Sequence, residues 1–94
     1  MRAVQILHMI LDKHPEPQGK QFLVSYDLMM DLGNDPLIKF NEENAMSYQD
    51  HGISTHYLLK PQTAMLLSER DFNATVEQLT KLMLNNEQDQ QSNP

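Results

Sequence analysis

The sequence contains no cysteine and no tryptophan, and it has only three glycines among its 94 residues. Without cysteine the chain cannot form a disulfide framework, a thiolate metal site or a cysteine nucleophile, and this composition fits a reducing compartment. Three scattered glycines do not make a glycine-rich phosphate loop. No apolar run approaches the roughly 20 residues that span a bilayer. We therefore expect a cytoplasmic protein without membrane contact.

The length and the distribution of apolar residues predict one small domain. Residues 1–84 contain the apolar side chains and are long enough for a single modest core. Residues 85–94, NNEQDQQSNP, have no apolar side chain to offset the entropy of ordering, so we predict a disordered tail there. The formal net charge of -6 disfavours sequence-independent binding to nucleic acid, because such binding depends on Lys and Arg at phosphates.

Apolar residues at helical spacing predict several helices. Ala3, Val4, Leu7, Ile10 and Leu11 recur at steps of three and four, and capping residues or prolines mark other helix starts. The short apolar run at residues 22–24 fits either a strand edge or the approach to the next helix. Helices are predicted at residues 2–13, 26–32, 37–46, 61–68 and 74–84, with a proline-rich loop at residues 15–20.

The middle of the chain has the pattern of a β-hairpin. Ile53, Thr55, Tyr57 and Leu59 alternate with other side chains, which predicts a strand over residues 53–60. Residues 47–50 would pair with it through a turn at residues 50–52, where Asp and Gly tolerate turn backbones. The predicted fold is α+β: a small, mainly helical domain with a two-stranded hairpin. The helices at 26–32 and 37–46 have the outline of a helix-turn-helix.

No residue pattern predicts catalysis or a cofactor. The chain has no nucleophile elbow, and the adjacent acids Glu42 and Glu43 do not face each other on a helix. His51 and His56 have a spacing found in some zinc sites, but strand residues five apart point to opposite faces and no further ligand joins them. We therefore expect neither an enzyme nor a metal site.

Two kinds of binding partner remain open, DNA and a host protein. Amide side chains pair with adenine, and Lys and His contact phosphates, so one helix and the hairpin would form a DNA-binding surface. The candidate residues are Lys39, Asn41, Asn44, His51, His56 and Lys60. Against this, residues 24–50 contain six acids and a single Lys, a field that repels phosphates and suits a basic protein partner. Ile6 and Met9 lie off the main apolar stripe of the first helix, which makes a homodimer a further possibility.

Several residues of the middle segment also match a known family. Ser25 to Asn34, SYDLMMDLGN, is similar to the first helix of such segments, and a hairpin, strand and Leu-rich helix pattern follows at Tyr48, Asp50, Gly52, Tyr57, Leu59, Leu66 and Leu67. In these residues the chain resembles the phage regulatory proteins of the Rha and antirepressor type. The resemblance implies a winged-helix-like domain in a non-enzymatic phage or prophage regulator. The acidic PLIKFNEENAM stands where that family has a His- and Arg-rich second helix.

These observations lead to one functional expectation with two mechanisms. We expect a phage-type regulatory protein that acts by winged-helix DNA binding. The alternative is an acidic module that inhibits or tethers a host protein. Neither mechanism requires a cofactor.

Overall fold

The computed structural model describes the backbone of residues 1–92 and the side chains of residues 1–85. Three helices and five strands form an α+β domain, so the predicted class is confirmed. In chain order they are α1 (Ala3–Lys13), β1 (Gln21–Val24), α2 (Tyr26–Leu32), β2 (Lys39–Phe40), β3 (Met46–Tyr48), β4 (His51–Thr55), β5 (Ala64–Leu67) and α3 (Glu69–Ser92). None of the helices in the described residues combines the length and the apolarity that crossing a bilayer requires.

The five strands form a single mixed sheet in the order β2-β3-β4-β1-β5. Strand β1 runs parallel to β4 and antiparallel to β5, so the short apolar run FLV is paired on both sides. Because side chains alternate along a strand, Phe22 and Val24 point into the core beneath α1 and α2, whereas Leu23 points to the opposite face. Helix α3 packs on β1 and β5 at that opposite face.

The first third of the chain forms the predicted elements. Helix α1 ends at Lys13 before His14-Pro15, the predicted α2 has the observed bounds, and the loop between α1 and β1 turns at Gly19 with a φ of +74°. Ser25 precedes α2 as predicted, but its hydroxyl does not cap the helix. That hydroxyl donates to the Asp27 carboxylate and accepts from the Thr63 amide, so it joins α2 to a distant loop.

The predicted helix at residues 37–46 is wrong, and with it the helix-turn-helix outline. The segment forms a hairpin in which Lys39 and Phe40 pair with Ser47 and Met46. The Asn41 side chain accepts hydrogen bonds from the amides of Glu43 and Ala45, which holds the chain in a tight loop. Such side-chain bonds to nearby amides compete with helical hydrogen bonds and favour turns.

The β3–β4 hairpin exists, but its turn and length differ from the prediction. Gln49 and Asp50 form the turn, both with positive φ, whereas Gly52 lies inside β4 opposite Ser47. This register places Met46 and Ile53 together in the core. A turn at residues 50–52 would shift the pairing, so that these two residues no longer lay opposite each other. Strand β4 ends at Thr55, because the next residues form a loop in which the His56 side chain accepts from the Leu58 amide. The sheet therefore has five strands, where two were predicted.

The predicted helix at residues 61–68 is also wrong. Gln62 has a φ of +63°, which breaks any helix, and residues 64–67 pair with β1 as strand β5. A short apolar run such as AMLL fits both the helical and the strand period. It forms a strand because the edge of β1 is free to pair with it.

The last helix is longer than the prediction for residues 74–84. Helix α3 starts at Glu69, where the Ser68 hydroxyl accepts from the Asp71 amide, and it continues to Ser92. The backbone of residues 85–92 continues α3, and extending an existing helix avoids the cost of nucleation. The disordered tail stays a prediction. The prediction for residues 93 and 94 lies outside the described residues.

Candidate functional site

The fold does not bring the six predicted DNA-binding residues together. Lys39 lies on the edge strand β2, and Asn41 and Asn44 lie in the loop that follows. His51 begins β4, whereas His56 follows its last residue, so the two histidines are at opposite ends of the strand, about 16 Å apart at 3.3 Å per residue. Lys60 lies further along the same loop as His56.

Three of the six side chains make hydrogen bonds within the domain. The Asn41 amide oxygen holds the β2–β3 loop, and His56 Nδ1 accepts from the Leu58 amide at 3.1 Å. His51 Nδ1 lies 2.7 Å from the Lys20 carbonyl oxygen, and its ring meets Phe22 edge to face. These contacts give the three residues structural roles, whereas Lys39 and Lys60 are exposed.

No candidate metal centre is found among the described residues, since no three His, Cys, Asp or Glu side chains converge there. The four histidines instead contact a tyrosine, backbone groups or a lysine. The candidate binding surfaces are therefore the grooves and the exposed apolar side chains.

One concave surface is a groove of about 500 Å³ along α1, which we call the α1 groove. Its lining combines apolar side chains with a few polar ones. Met1, Met9 and Leu37 form the exposed apolar part of the lining, with exposed fractions of 84%, 43% and 55%. The lining residues are Met1, Arg2, Val4, Gln5, His8, Met9, Leu37 and Tyr48.

A chain of hydrogen bonds connects two lining residues of the α1 groove, His8 and Tyr48, with each other and with neighbouring residues. His8 Nε2 lies 3.3 Å from the Asp12 carboxylate, and His8 Nδ1 lies 3.2 Å from the Tyr48 hydroxyl. In the neutral ring with its proton on Nε2, His8 donates to Asp12 and accepts from Tyr48. The Gln49 side-chain amide also donates to that hydroxyl at 3.2 Å. The largely buried Tyr48 is thus held in place from two sides.

One carboxylate fixes the end of the groove at which α1 begins. Asp35 accepts hydrogen bonds from the Leu37 amide and from the Arg2 guanidinium, whose Nη2 lies 2.7 Å away. The hydrogen bond from the Leu37 amide is the main cause that lowers the pKa of Asp35 below its ordinary value of 3.8, and Arg2 adds a smaller lowering. An ionised Asp35 therefore ties together two lining residues that are far apart in sequence.

A second exposed apolar surface lies on α2 and the loop after β4. The rings of Tyr26 and Tyr57 lie 6.1 Å apart, and Met30 is one helical turn beyond Tyr26. We call Tyr26, Met30 and Tyr57 the tyrosine patch. All three are more than half exposed, and none of them lines the α1 groove. The patch is therefore an exposed apolar surface distinct from that groove.

One residue of the α1 groove has a signal in the sequence. Met9 lies off the buried stripe of α1, a position that suggests contact with another chain. The contribution of Leu37 and Tyr48 was missed, because both come from segments whose hydrogen bonding to distant residues determines where they lie.

Comparison with known proteins adds no assignment. No protein-family model matches the chain, and no curated protein or solved structure matches it. The proposal below therefore rests on the geometry of the surface.

Proposed function

We propose that the protein is a non-enzymatic regulatory module that binds a partner protein through the α1 groove. The observation that supports this most is the exposure of three apolar lining residues of the groove, Met1, Met9 and Leu37. Water-exposed apolar side chains lining a concave surface gain free energy when an apolar side chain of a partner covers them. Methionine adapts its shape to such side chains better than a branched residue does.

The charge of the protein favours a basic partner segment. The chain carries a net charge of -6, and the Asp12 carboxylate is exposed beside His8 on the groove side of α1. The positive charge of Arg2 is already paired with Asp35. A segment with apolar anchors flanked by Lys or Arg would therefore suit this surface, with the charges mainly raising the association rate.

The hydrogen bonds of the Tyr48 hydroxyl favour a positioning role rather than catalysis. The Tyr48 hydroxyl is engaged by both His8 and Gln49, and Tyr48 is only 6% exposed. A hydroxyl held in this way presents a fixed polar group to a partner backbone.

A peptide titration tests the proposal. The probe is a fluorescein-labelled amphipathic helical peptide of Leu and Lys, compared with one of Leu and Glu. We expect the basic peptide to bind more tightly and Met9→Ala to raise its Kd roughly tenfold, because lost burial of about 1.4 kcal/mol corresponds to that factor. Amide shifts of Gln5, His8 and Leu37 in an NMR titration should accompany binding.

Met30→Ala is the matched control, because Met30 is an exposed methionine on a different helix. It should leave the Kd of the basic peptide unchanged. Equal weakening by Met30→Ala and Met9→Ala, or shifts confined to the tyrosine patch, would overturn the α1 groove as the binding site.

The second candidate is DNA binding by a winged-helix-like protein, and it is favoured by the phage-family resemblance and by the exposure of Lys39 and Lys60. In that interpretation the β3–β4 hairpin is the wing. The phage setting and the cytoplasmic location rest on the same resemblance and on the composition.

A salt titration tests this second candidate. If random-sequence duplex DNA binds at about 50 mM salt, Lys39→Ala and Lys60→Ala should each reduce the slope of log K against log salt by about one. Anisotropy of labelled DNA is the measurement. An absence of binding at low salt would remove the DNA-binding interpretation.

A further inference from the structure

Strand β5 forms one edge of the sheet, and this edge lacks the usual protection. Its four residues, Ala64 to Leu67, contain no charge and no proline. Edge strands of monomers commonly carry such residues because open backbone groups pair with other chains. The opposite edge, β2, is only two residues long and contains Lys39. The two edges therefore differ in how well they resist pairing.

The outward-facing backbone groups of β5 can be assigned from the hydrogen bonding next to it. The Ser25 amide donates to the Thr63 carbonyl at 2.8 Å, which makes Ser25 and Thr63 a hydrogen-bonded pair. Such pairs alternate along antiparallel strands, so Met65 and Leu67 bond to β1, whereas the amides of Ala64 and Leu66 point away from it. No backbone hydrogen bond joins these two amides to another residue of the described chain.

On the core side of the sheet, an apolar flank of α1 accompanies this edge. Helix α1 packs on β5, and Ile6 and Ile10 are only partly buried. A groove of about 190 Å³ runs along this flank and shares Met1 and Met9 with the α1 groove. It is lined by Met1, Ile6, Met9, Ile10 and Lys13.

On the other side of the sheet, α3 presents a second apolar strip. Its stripe consists of Phe72, Val76, Leu79 and Met83, all of them only half-buried. At 1.5 Å per residue the 24 residues of α3 extend about 36 Å, whereas the four residues of β5 extend about 13 Å. Helix α3 therefore continues well beyond the strand on which it packs, and its four stripe residues keep part of their surface exposed.

The charges on α3 favour a second copy of the chain as the occupant. Two molecules of net charge -6 repel each other unless their contact avoids charged groups. The residues beside the stripe, Asn73, Thr75 and Thr80, are uncharged, and Glu77 pairs with Lys81 at 3.3 Å within the helix. The stripe and these flanking residues carry no net charge, so the same strip of a second copy meets it without charge repulsion.

We infer that two copies of the protein associate through β5. An antiparallel pairing of β5 with β5 of the second copy is self-complementary about a two-fold axis and gives one continuous sheet through both subunits. The same axis brings the flank of α1 and the stripe of α3 against their counterparts. The β5 edge, the flank of α1 and the stripe of α3 then contribute to one interface. Stable dimers bury more than about 1,000 Å² of surface, which one short strand alone does not supply. The inference rests on the β5 edge and not on the proposed partner binding, although Met1 and Met9 line both the α1 flank and the α1 groove.

Sedimentation equilibrium and amide hydrogen exchange test the inference together. Wild type should have twice the chain mass, and the amides of Ala64 and Leu66 should be protected although they face away from β1. Met83→Glu places a charge in the α3 strip and should raise the dimer dissociation constant at least about tenfold. Ala64→Pro removes an outward amide at the first residue of an edge strand, a position where proline is tolerated, and should do the same.

Met30→Glu, on the exposed face of α2, is the control and should leave the dimer intact. Circular dichroism of each variant shows whether the subunit fold is retained, and the hydrogen-exchange test on wild type does not depend on any variant. A monomeric wild type, rapid exchange of both outward amides, or a dimer that persists in folded Met83→Glu and Ala64→Pro would overturn the inference.

Discussion

Replacing Phe22 with Ala should remove about 3–5 kcal/mol from the free energy of unfolding, the usual cost of deleting a buried phenylalanine ring. Phe22 is completely buried in β1, where it lies between Ile53 and Leu66, and its ring centroid is 5.9 Å from that of His51. Small domains are stable by only about 5–15 kcal/mol. Urea unfolding followed by circular dichroism should therefore show a much lower midpoint, or a chain that is largely unfolded at 37 °C.

Phe40→Ala provides the control for this prediction. Phe40 is the same residue type in a strand of the same sheet, but it lies in β2 and is 51% exposed. Its replacement should change the free energy of unfolding by less than about 1 kcal/mol, as surface substitutions usually do. Similar losses in both variants would contradict the assignment of Phe22 as the centre of the core.

Replacing Ser25 with Ala should cost about 1–3 kcal/mol, because it leaves a polar group without its partner inside the domain. The buried Ser25 hydroxyl accepts from the Thr63 amide and donates to Asp27, and Asp27 accepts from both the backbone and the side chain of Gln62. These bonds fasten the loop before β5 to the start of α2. Thermal and urea unfolding of the variant measure the loss.

The same cluster predicts how the loss depends on pH. The Ser25 hydroxyl is the main cause that lowers the pKa of Asp27 below 3.8, with contributions from Gln62. A lowered folded-state pKa gives stability that is present above the unfolded value and lost as the pH falls through the folded value. The difference between wild type and Ser25→Ala should therefore narrow when unfolding is measured well below pH 3.8. A difference that widens on acidification would contradict this role of Ser25.

Thr55→Val is the control for Ser25→Ala. Among the described residues, the buried Thr55 hydroxyl oxygen has no hydrogen-bond partner. Its replacement by a methyl group of similar shape should leave the stability unchanged or raise it, because no bond is lost and a desolvated polar group is removed.

The elements that could be predicted from sequence are those whose ends are determined locally. Helix α1 has apolar residues at steps of three and four and ends before Pro15, and α2 lies between Ser25 and Gly33. Both signals depend on residues inside or next to the helix. The class of the fold follows from them together with the alternating residues of β4.

The errors fall where distant partners decide the backbone conformation. AMLL at residues 64–67 fits a helix or a strand equally well, and it becomes a strand because Gln21 to Val24 offers a free edge. Residues 37–46 carry proline and acidic helix-start signals, but the Asn41 side chain stabilises a loop that lets β2 reach β3. Neither partner can be identified from periodicity.

The same reason limits prediction of the site. His51 and His56 are candidates for binding by residue type, yet the Nδ1 atom of each ring contacts a backbone group. For His51 that group belongs to a distant loop. The α1 groove combines residues from α1 with Leu37 and Tyr48. Met9, which is exposed and lies off the helical stripe, is the residue of this surface that could be identified from the sequence.

The position of β1 in the sheet also has a consequence for how the protein is made. Phe22 pairs with Ile53 and Leu66, so both neighbours of β1 are synthesised long after it. Contacts so distant in sequence slow folding, because a long loop must close before they form. The strand FLV leaves the ribosome without partners and stays open to aggregation until Leu67 has followed. We therefore expect nascent chains that stop before Ala64 to depend on chaperones that the finished protein no longer needs.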